Sequence, residues 1–253
     1  MQEIVQSVDR TLSILEVLSD YENGLGITEI SEKVNLHKST VHRLLATLIH
    51  KGYVVQNGES NRYQLTLKLF ELGNKKVEKM NIVTVAKPFI QELMEKTNEV
   101  IHLVVREGTE VVYVTKVEPQ KTIRMYSSIG KKIPMYCTSV GKSMLSYMTE
   151  KEVEDIWEAS DIKKLTENTI DDLSEFKKHL KVVREKGYAI DEQENEIGIR
   201  CIGTSVLDYN GKVCGAISIS GSTISFTEDK IEEFSNLLIE YANKISRELG
   251  YKI

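Results

Sequence analysis

The sequence predicts an α+β chain in two parts: an N-terminal winged helix-turn-helix, then a C-terminal domain in which a mixed sheet is flanked by helices. Three observations carry this. Apolar residues recur at helical spacing through residues 8–50 and give way to two short β-like runs. A second helical stretch follows from Leu67. Beyond Glu99, runs rich in β-branched residues are separated by longer helical patterns, as in a sheet covered by helices. At 253 residues the chain is long enough for two cores.

In the first part, Val8, Leu12, Leu15 and Leu18 recur at helical spacing, and the glycines of "YENGLG" stop that segment. Thr28 is the expected N-cap of a short second helix, "TEISEKV", with Ile30 and Val34 on one face. A third helix follows "NLH" and sets Val41, Leu44, Leu45 and Leu48 on one stripe. At 100° per residue, Ser39, Arg43 and His50 then face the other way, flanked by Thr40 and His42. "YVVQ" and "RYQLT" read as strands joined through "NGES", whose Asn-Gly pair favours a tight hairpin.

The formal net charge of −5 argues against a wholly basic nucleic-acid coat, but the charge is unevenly spread. Residues 1–36 hold two Lys/Arg against seven acids, whereas residues 37–68 hold Lys38, Arg43, Lys51, Arg62 and Lys68 against Glu59 alone. Concentrated on and around the third helix, this charge suits a helix in a DNA major groove and a hairpin along the backbone. Ser39, Thr40, His42 and Arg43 are placed to reach base edges or nearby phosphates, and Lys38 and Arg62 to neutralise phosphates.

From "LKLFELG" to "LMEKTN" the pattern is a helical linker, with Gly73 interrupting it and Pro88 near the start of its second part. "EVIHLVVREG", "EVVYVTKVE", "IRMYS", "GYAIDEQ", "CIGTSVLD" and "VCGAISISG" read as strands, and residues 141–158, 171–186 and 227–249 as helices. The resulting division is a winged helix-turn-helix over 1–66, a helical linker over 67–82 and a ligand-sensing domain over 83–253.

"CTSVGKS" lacks the glycine that a phosphate loop needs, separated by four residues from its Gly-Lys pair, since position 136 is Tyr, so nucleotide binding is not expected there. A helix starting near Ser139 or Val140 offers free N–H groups suited to a carboxylate. Ser218 and Ser220 alternate along one strand and share a face, where they either hold a polar ligand or meet solvent. Asp191, opening the acidic run "DEQENE", ends a strand and can turn inward. Cys137, Asp191 and Cys201 carry donors that suit Zn²⁺ if the fold brings them together, although the spacing does not dictate it. Otherwise no cofactor is expected.

Cys137, Cys201 and Cys214 are odd in number and lack CxxC spacing, which fits reduced thiols. With neither a signal-like N-terminus nor an apolar run near the roughly eighteen residues that span a bilayer, a cytoplasmic protein without membrane partners is expected. A small-molecule enzyme carrying a winged helix, with Cys137 as nucleophile and His102 as base, is the alternative from a different class.

"SVDRTLSILEVL", "HKSTVHRLLATL", "GYVVQ…YQLT", "LFELG", "IPMYCTSVGKSMLS", "DEQENEIGIRCIGTSVLD" and "GAISISG" together give the chain a resemblance to the IclR family of bacterial transcriptional regulators across both halves. The resemblance implies a GAF-like C-terminal effector domain, dimers or dimers of dimers on palindromic operator DNA, and no enzymatic activity. It implies an effector pocket built from Ile133, Ser139, Val140, Asp191, Ile199, Cys201, Ser218 and Ser220. The implied effector is a small organic acid, with a keto-sugar acid the closest guess, acting on a repressor.

Overall fold

The structure, a computed structural model, describes residues 4–77, 82–120 and 127–252. The chain divides into two compact units, Met1–Lys79 and Met80–Ile253. Among the described residues no helix is long and apolar enough to cross a membrane.

The first unit runs α1 (Gln6–Ser19), α2 (Ile27–Lys33), α3 (Lys38–His50), β1 (Val54–Gln56), β2 (Tyr63–Leu65) and α4 (Lys68–Val77). Its core joins Ile14, Leu18, Leu25, Ile30, Val41, Leu45, Leu48, Val54 and Tyr63. The stripe read for α1 is only partly inward. Leu18 is buried and Leu15 half-buried, but Val8 and Leu12 are exposed, because Ile14 takes the central inward position. The cap of α2 also differs from expectation: Gly26 is the N-cap, and its N–H donates to the Glu29 carboxylate at 2.7 Å, so the helix starts one residue before Thr28. Gly24 has φ +67, and a Cβ there would fall 2.3 Å from the Tyr63 carbonyl oxygen; only glycine lets this loop pair with the wing.

The wing is wider than a two-residue turn. β1 and β2 pair antiparallel from Val54↔Leu65 to Gln56↔Tyr63, leaving residues 57–62 between them. The Asn57 side chain accepts the N–H groups of Glu59 and Ser60, and Asn61 takes the positive φ of 55°. Asn57 therefore organises an Asx-type loop in place of the tight Asn-Gly turn. Gly73 lies inside α4 and does not interrupt it.

The second unit contains α5 (Ile82–Thr97), β3 (Val100–Glu107), β4 (Glu110–Val117), β5 (Lys132–Pro134), α6 (Ser139–Leu145), α7 (Glu150–Glu158), α8 (Leu173–Lys186), β6 (Ala189–Glu192), β7 (Ile199–Leu207), β8 (Val213–Ser222) and α9 (Lys230–Glu248). The strands form one sheet ordered β5-β4-β3-β8-β7-β6, with antiparallel neighbours. Alternation sorts its two faces. Ile101, Leu103, Ile202, Ile217 and Ile219 pack with Ile90 and Leu93 of α5 and with Leu238, Tyr241 and Ile245 of α9. Val104, Val111 and Ala216 pack with Val140, Met144 and Leu145 of α6 and with Phe176 and Leu180 of α8.

The helix expected over 141–158 is two helices, because Thr149 and Glu152 form a reciprocal capping box that starts α7 afresh. Pro88 stands well inside α5. The expected strand "IRMYS" lies outside the described residues except for Ser127, and β5 was not foreseen.

Candidate functional site

On the first unit, burial of Val41, Leu45 and Leu48 turns the opposite side of α3 to solvent. Lys38, Ser39, His42 and Arg43 are exposed and Thr40 is half-buried. This is the basic face that the periodicity specified. Arg62 behaves differently. Its Nε donates to the Gly24 carbonyl at 3.0 Å and its Nη2 lies 3.1 Å from the Glu29 carboxylate, so the guanidinium ties the wing to the start of α2. The Gly26 N–H, with Arg62 adding to it, holds the Glu29 carboxyl below its ordinary range. The guanidinium expected to meet phosphate is thus half-exposed and paired at the surface with Glu29.

On the second unit a cavity of about 660 Å³ opens between the sheet and the start of α6. Ile133, Ser139, Val140, Asp191, Ile199, Cys201, Ser218 and Ser220 all line it. The register explains the convergence. Asp191 pairs with Cys201 and Cys201 with Ser220, while Gly203 pairs with Ser218 and Ser218 with His102, giving two adjacent rows on one sheet face. Ser218 and Ser220 are buried, which settles the alternative of a solvated face. Two glycines bring α6 this close. A Cβ at Gly203 would stand 2.6 Å from the Ser139 carbonyl carbon, and one at Gly141 would stand 2.2 Å from the Met135 carbonyl oxygen. Thr138 caps α6 by accepting the Gly141 N–H at 3.3 Å.

Asp191 turns inward and is nearly fully buried. Its Oδ1 accepts the N–H groups of Glu194 at 2.7 Å and Asn195 at 3.3 Å, folding the acidic run into a loop. Thr166 and Thr169 clamp that loop by donating to the carbonyls of Gln193 and Glu194, both at 2.6 Å. Burial pushes the Asp191 carboxyl up to about 7; the Lys142 ammonium opposes this, and Glu194 adds to it. That ammonium, fully buried, is committed to Glu194 and to the Ile190 carbonyl at 2.5 Å, so the lysine of "CTSVGKS" serves an internal ion pair.

Three contributors lay beyond the sequence reading. His102, considered only as a base, sits in the cavity wall with Nε2 2.8 Å from the Ser127 hydroxyl, and burial with Lys116 nearby lowers its pKa to about 3. Glu194 reaches Lys142 across a separation that no local pattern reveals. Asn195 accepts from the Cys137 thiol at 3.8 Å. The Zn²⁺ set read from the sequence does not assemble: among the described residues no three His, Cys, Asp or Glu side chains form a group able to hold a metal ion. The nucleophile alternative also meets unfavourable electrostatics. Burial pushes the Cys137 thiol up to about 12, with Asp191 and Glu194 adding to the effect, so it stays protonated at neutral pH.

A sequence model of the IclR helix-turn-helix domain matches residues 7–58, and one of the bacterial transcriptional regulator IclR C-terminal domain matches residues 74–247. The chain belongs to the IclR family. The HTH-type transcriptional regulator KdgR of Escherichia coli is 40% identical over 247 residues, covering 98% of this chain and 94% of that protein. The DNA-binding transcriptional repressor YiaJ of E. coli is 37% identical over 251 residues, covering 98% and 89%. Among solved structures, the IclR protein of Thermotoga maritima aligns with a TM-score of 0.65 at 37% identity, covering 98% of this chain and all of that one. The Agrobacterium tumefaciens repressor BlcR aligns with a TM-score of 0.82 at 26% identity, covering both chains fully. This IclR-family member is a DNA-binding transcriptional regulator with an N-terminal helix-turn-helix and a C-terminal effector-binding domain.

Proposed function

We propose that the protein is a repressor whose hold on a palindromic operator is controlled by a small organic acid bound in the cavity beneath α6, and that a keto-sugar acid is the effector. The observation that carries this is the cavity itself. About 660 Å³ of space is lined by side-chain hydroxyls at Tyr113, Ser127, Ser139, Ser218 and Ser220, with Ile133, Val140 and Ile199 as apolar wall. A wall of that kind favours a hydroxylated ligand with a few fixed polar contacts. Relatives described as repressors, YiaJ and the Salmonella AllR proteins, support the sign of regulation.

On the DNA side, Ser39, Thr40, His42 and Arg43 read base edges or adjacent phosphates and Lys38 neutralises phosphate. Val8 and Leu12 on α1, Val5 just before it, and Leu69, Phe70 and Leu72 on α4 leave exposed apolar surface in the first unit, which suits pairing of two copies on two half-sites. A pair of such dimers remains within the same proposal. The effector acts by binding the DNA-competent and incompetent arrangements unequally, through α4 and α5.

Thermal stabilisation of the purified protein across a panel of small carboxylates and sugar acids tests the reading, since a ligand that binds only the folded state raises Tm. A hit among keto acids that also releases operator fragments in a mobility assay supports it, and the Asp191→Ala variant should lose that response while still binding operator. Stabilisation by Zn²⁺ with none by any acid refutes it.

A further inference from the structure

We infer that the cavity takes up its organic-acid ligand together with one proton, which Asp191 holds, so that acid and hydrogen ion are joint ligands of one site; this rests on the cavity being the effector site. The two oxygens of the Asp191 carboxyl have different surroundings. Oδ1 accepts the N–H groups of Glu194 and Asn195, whereas Oδ2 accepts no hydrogen bond among the described residues, although the side chain is buried in the cavity wall. The ammonium of Lys142, on α6, is engaged elsewhere, by Glu194 and the Ile190 carbonyl. The other titratable neighbours bring no cation. Burial keeps the thiols of Cys137, before α6, and Cys201, on β7, protonated, as it does the phenol of Tyr113 on β4, and it leaves His102 on β3 uncharged. Glu196, from the loop after β6, also lines the cavity, and Glu99 and Lys131, just before β3 and β5, add one charge of each sign.

An ionised Asp191 therefore leaves a buried negative charge with no cation of its own. A ligand carboxylate brings a second into the same cavity, and like charges at short range in a poorly hydrated space disfavour the ionised form of the weaker acid. Asp191 already stands near the balance point, raised to about 7 chiefly by burial. The ligand's charge raises it further whichever way the wall hydroxyls point, because the repulsion depends on distance and not on hydrogen-bond direction. The proton comes from solvent and settles on Oδ2, the oxygen without a partner, and the O–H so formed is able to donate to a ligand oxygen. Above pH 7 the complex thus binds more protons than the free protein. Affinity is greatest in mildly acid solution, where Asp191 is protonated before the ligand arrives, and falls about tenfold per pH unit above about 7.

Pyruvate, a strong acid that stays ionised throughout the range, is the probe, and titration calorimetry in two buffers of unequal ionisation enthalpy, HEPES and Tris, counts the protons; should pyruvate not bind, the panel acid with the largest Tm shift takes its place. Wild type should take up close to one proton per ligand at pH 8 and close to none at pH 6, with affinity about tenfold weaker at pH 8. Asp191→Asn, whose neutral amide stands in for the protonated carboxyl, should take up none and bind equally at both pH values, within about twofold. Binding without proton uptake by wild type at pH 8, or with proton release, overturns the inference and leaves the effector reading intact. Uptake that persists in Asp191→Asn places the proton on another group, such as Glu194 or His102, and overturns it as well. An Asn variant that keeps its fold but binds no acid at either pH also does so, because the amide and the protonated carboxyl both donate. No binding of pyruvate or of any acid in the wider panel removes the organic-acid reading and the inference with it.

Discussion

Replacing Asp191 by asparagine should make the effector-binding unit more stable at pH 8 and change little near pH 4. The carboxyl has an ordinary value of 3.8 and is raised to about 7 in the fold, chiefly because it is buried where the nearest ammonium already belongs to Glu194. An acid with a raised folded-state value binds its proton more tightly folded than unfolded. The Asp191 contribution to stability is therefore greatest at low pH, declines as pH rises from about 4, and stops declining above about 7. At about 1.4 kcal/mol per pH unit, that interval amounts to a cost of roughly 4 kcal/mol for the wild type at pH 8. Asparagine carries no charge, and its side-chain oxygen still accepts the Glu194 and Asn195 N–H groups, so the loop should persist. Trp157, the chain's single tryptophan, packs 4.8 Å from the Phe176 ring in this unit and reports on its unfolding. Urea titrations followed by its fluorescence should show the gap between Asp191→Asn and wild type widening with pH and levelling off above 7. A gap that does not change with pH, or a variant less stable than wild type at pH 8, would refute the reasoning.

Arg43→Ala should weaken operator binding by about 1 to 3 kcal/mol and relax preference at one base pair, read by competition against substituted operators. Arg62→Ala should leave the salt dependence of DNA binding unchanged, because its guanidinium is spent on Gly24 and Glu29; a slope flatter by about one would return it to the phosphate contacts. Gly203→Ala should abolish stabilisation by any effector while operator binding persists, since its methyl group would displace the first turn of α6 from the cavity; calorimetry with the best acid of the panel checks this.

Much of the geometry of the two candidate sites was readable along the chain. The stripe Val41, Leu44, Leu45, Leu48 specifies which side of α3 faces water, because helical period alone decides it. Likewise the alternation in "AISIS" puts Ser218 and Ser220 on one face whatever surrounds them. The α1 stripe was misread for a related reason. Period identifies an apolar stripe, but whether the chain itself covers Val8 and Leu12 depends on what else packs there. The Asn-Gly turn failed because a longer Asx-capped loop satisfied the same local preferences.

Local order, helix faces and the alternation of strand faces follow from short-range periodicity and cap chemistry, and the sequence by itself determined those, together with the concentration of basic charge on α3. Partnership across the fold was decided only by tertiary structure. Register brings His102 to Ser218 across 116 positions, while helix and loop packing brings Lys142 to Glu194 across 52 and Arg62 to Glu29 across 33. No spacing encodes such pairs, because strand order, the glycine-permitted approach of α6 and the packing of the wing loop against α2 set them. The same burial sets the protonation of Asp191 and His102, since a titrating group responds to the solvent and charge it loses on folding.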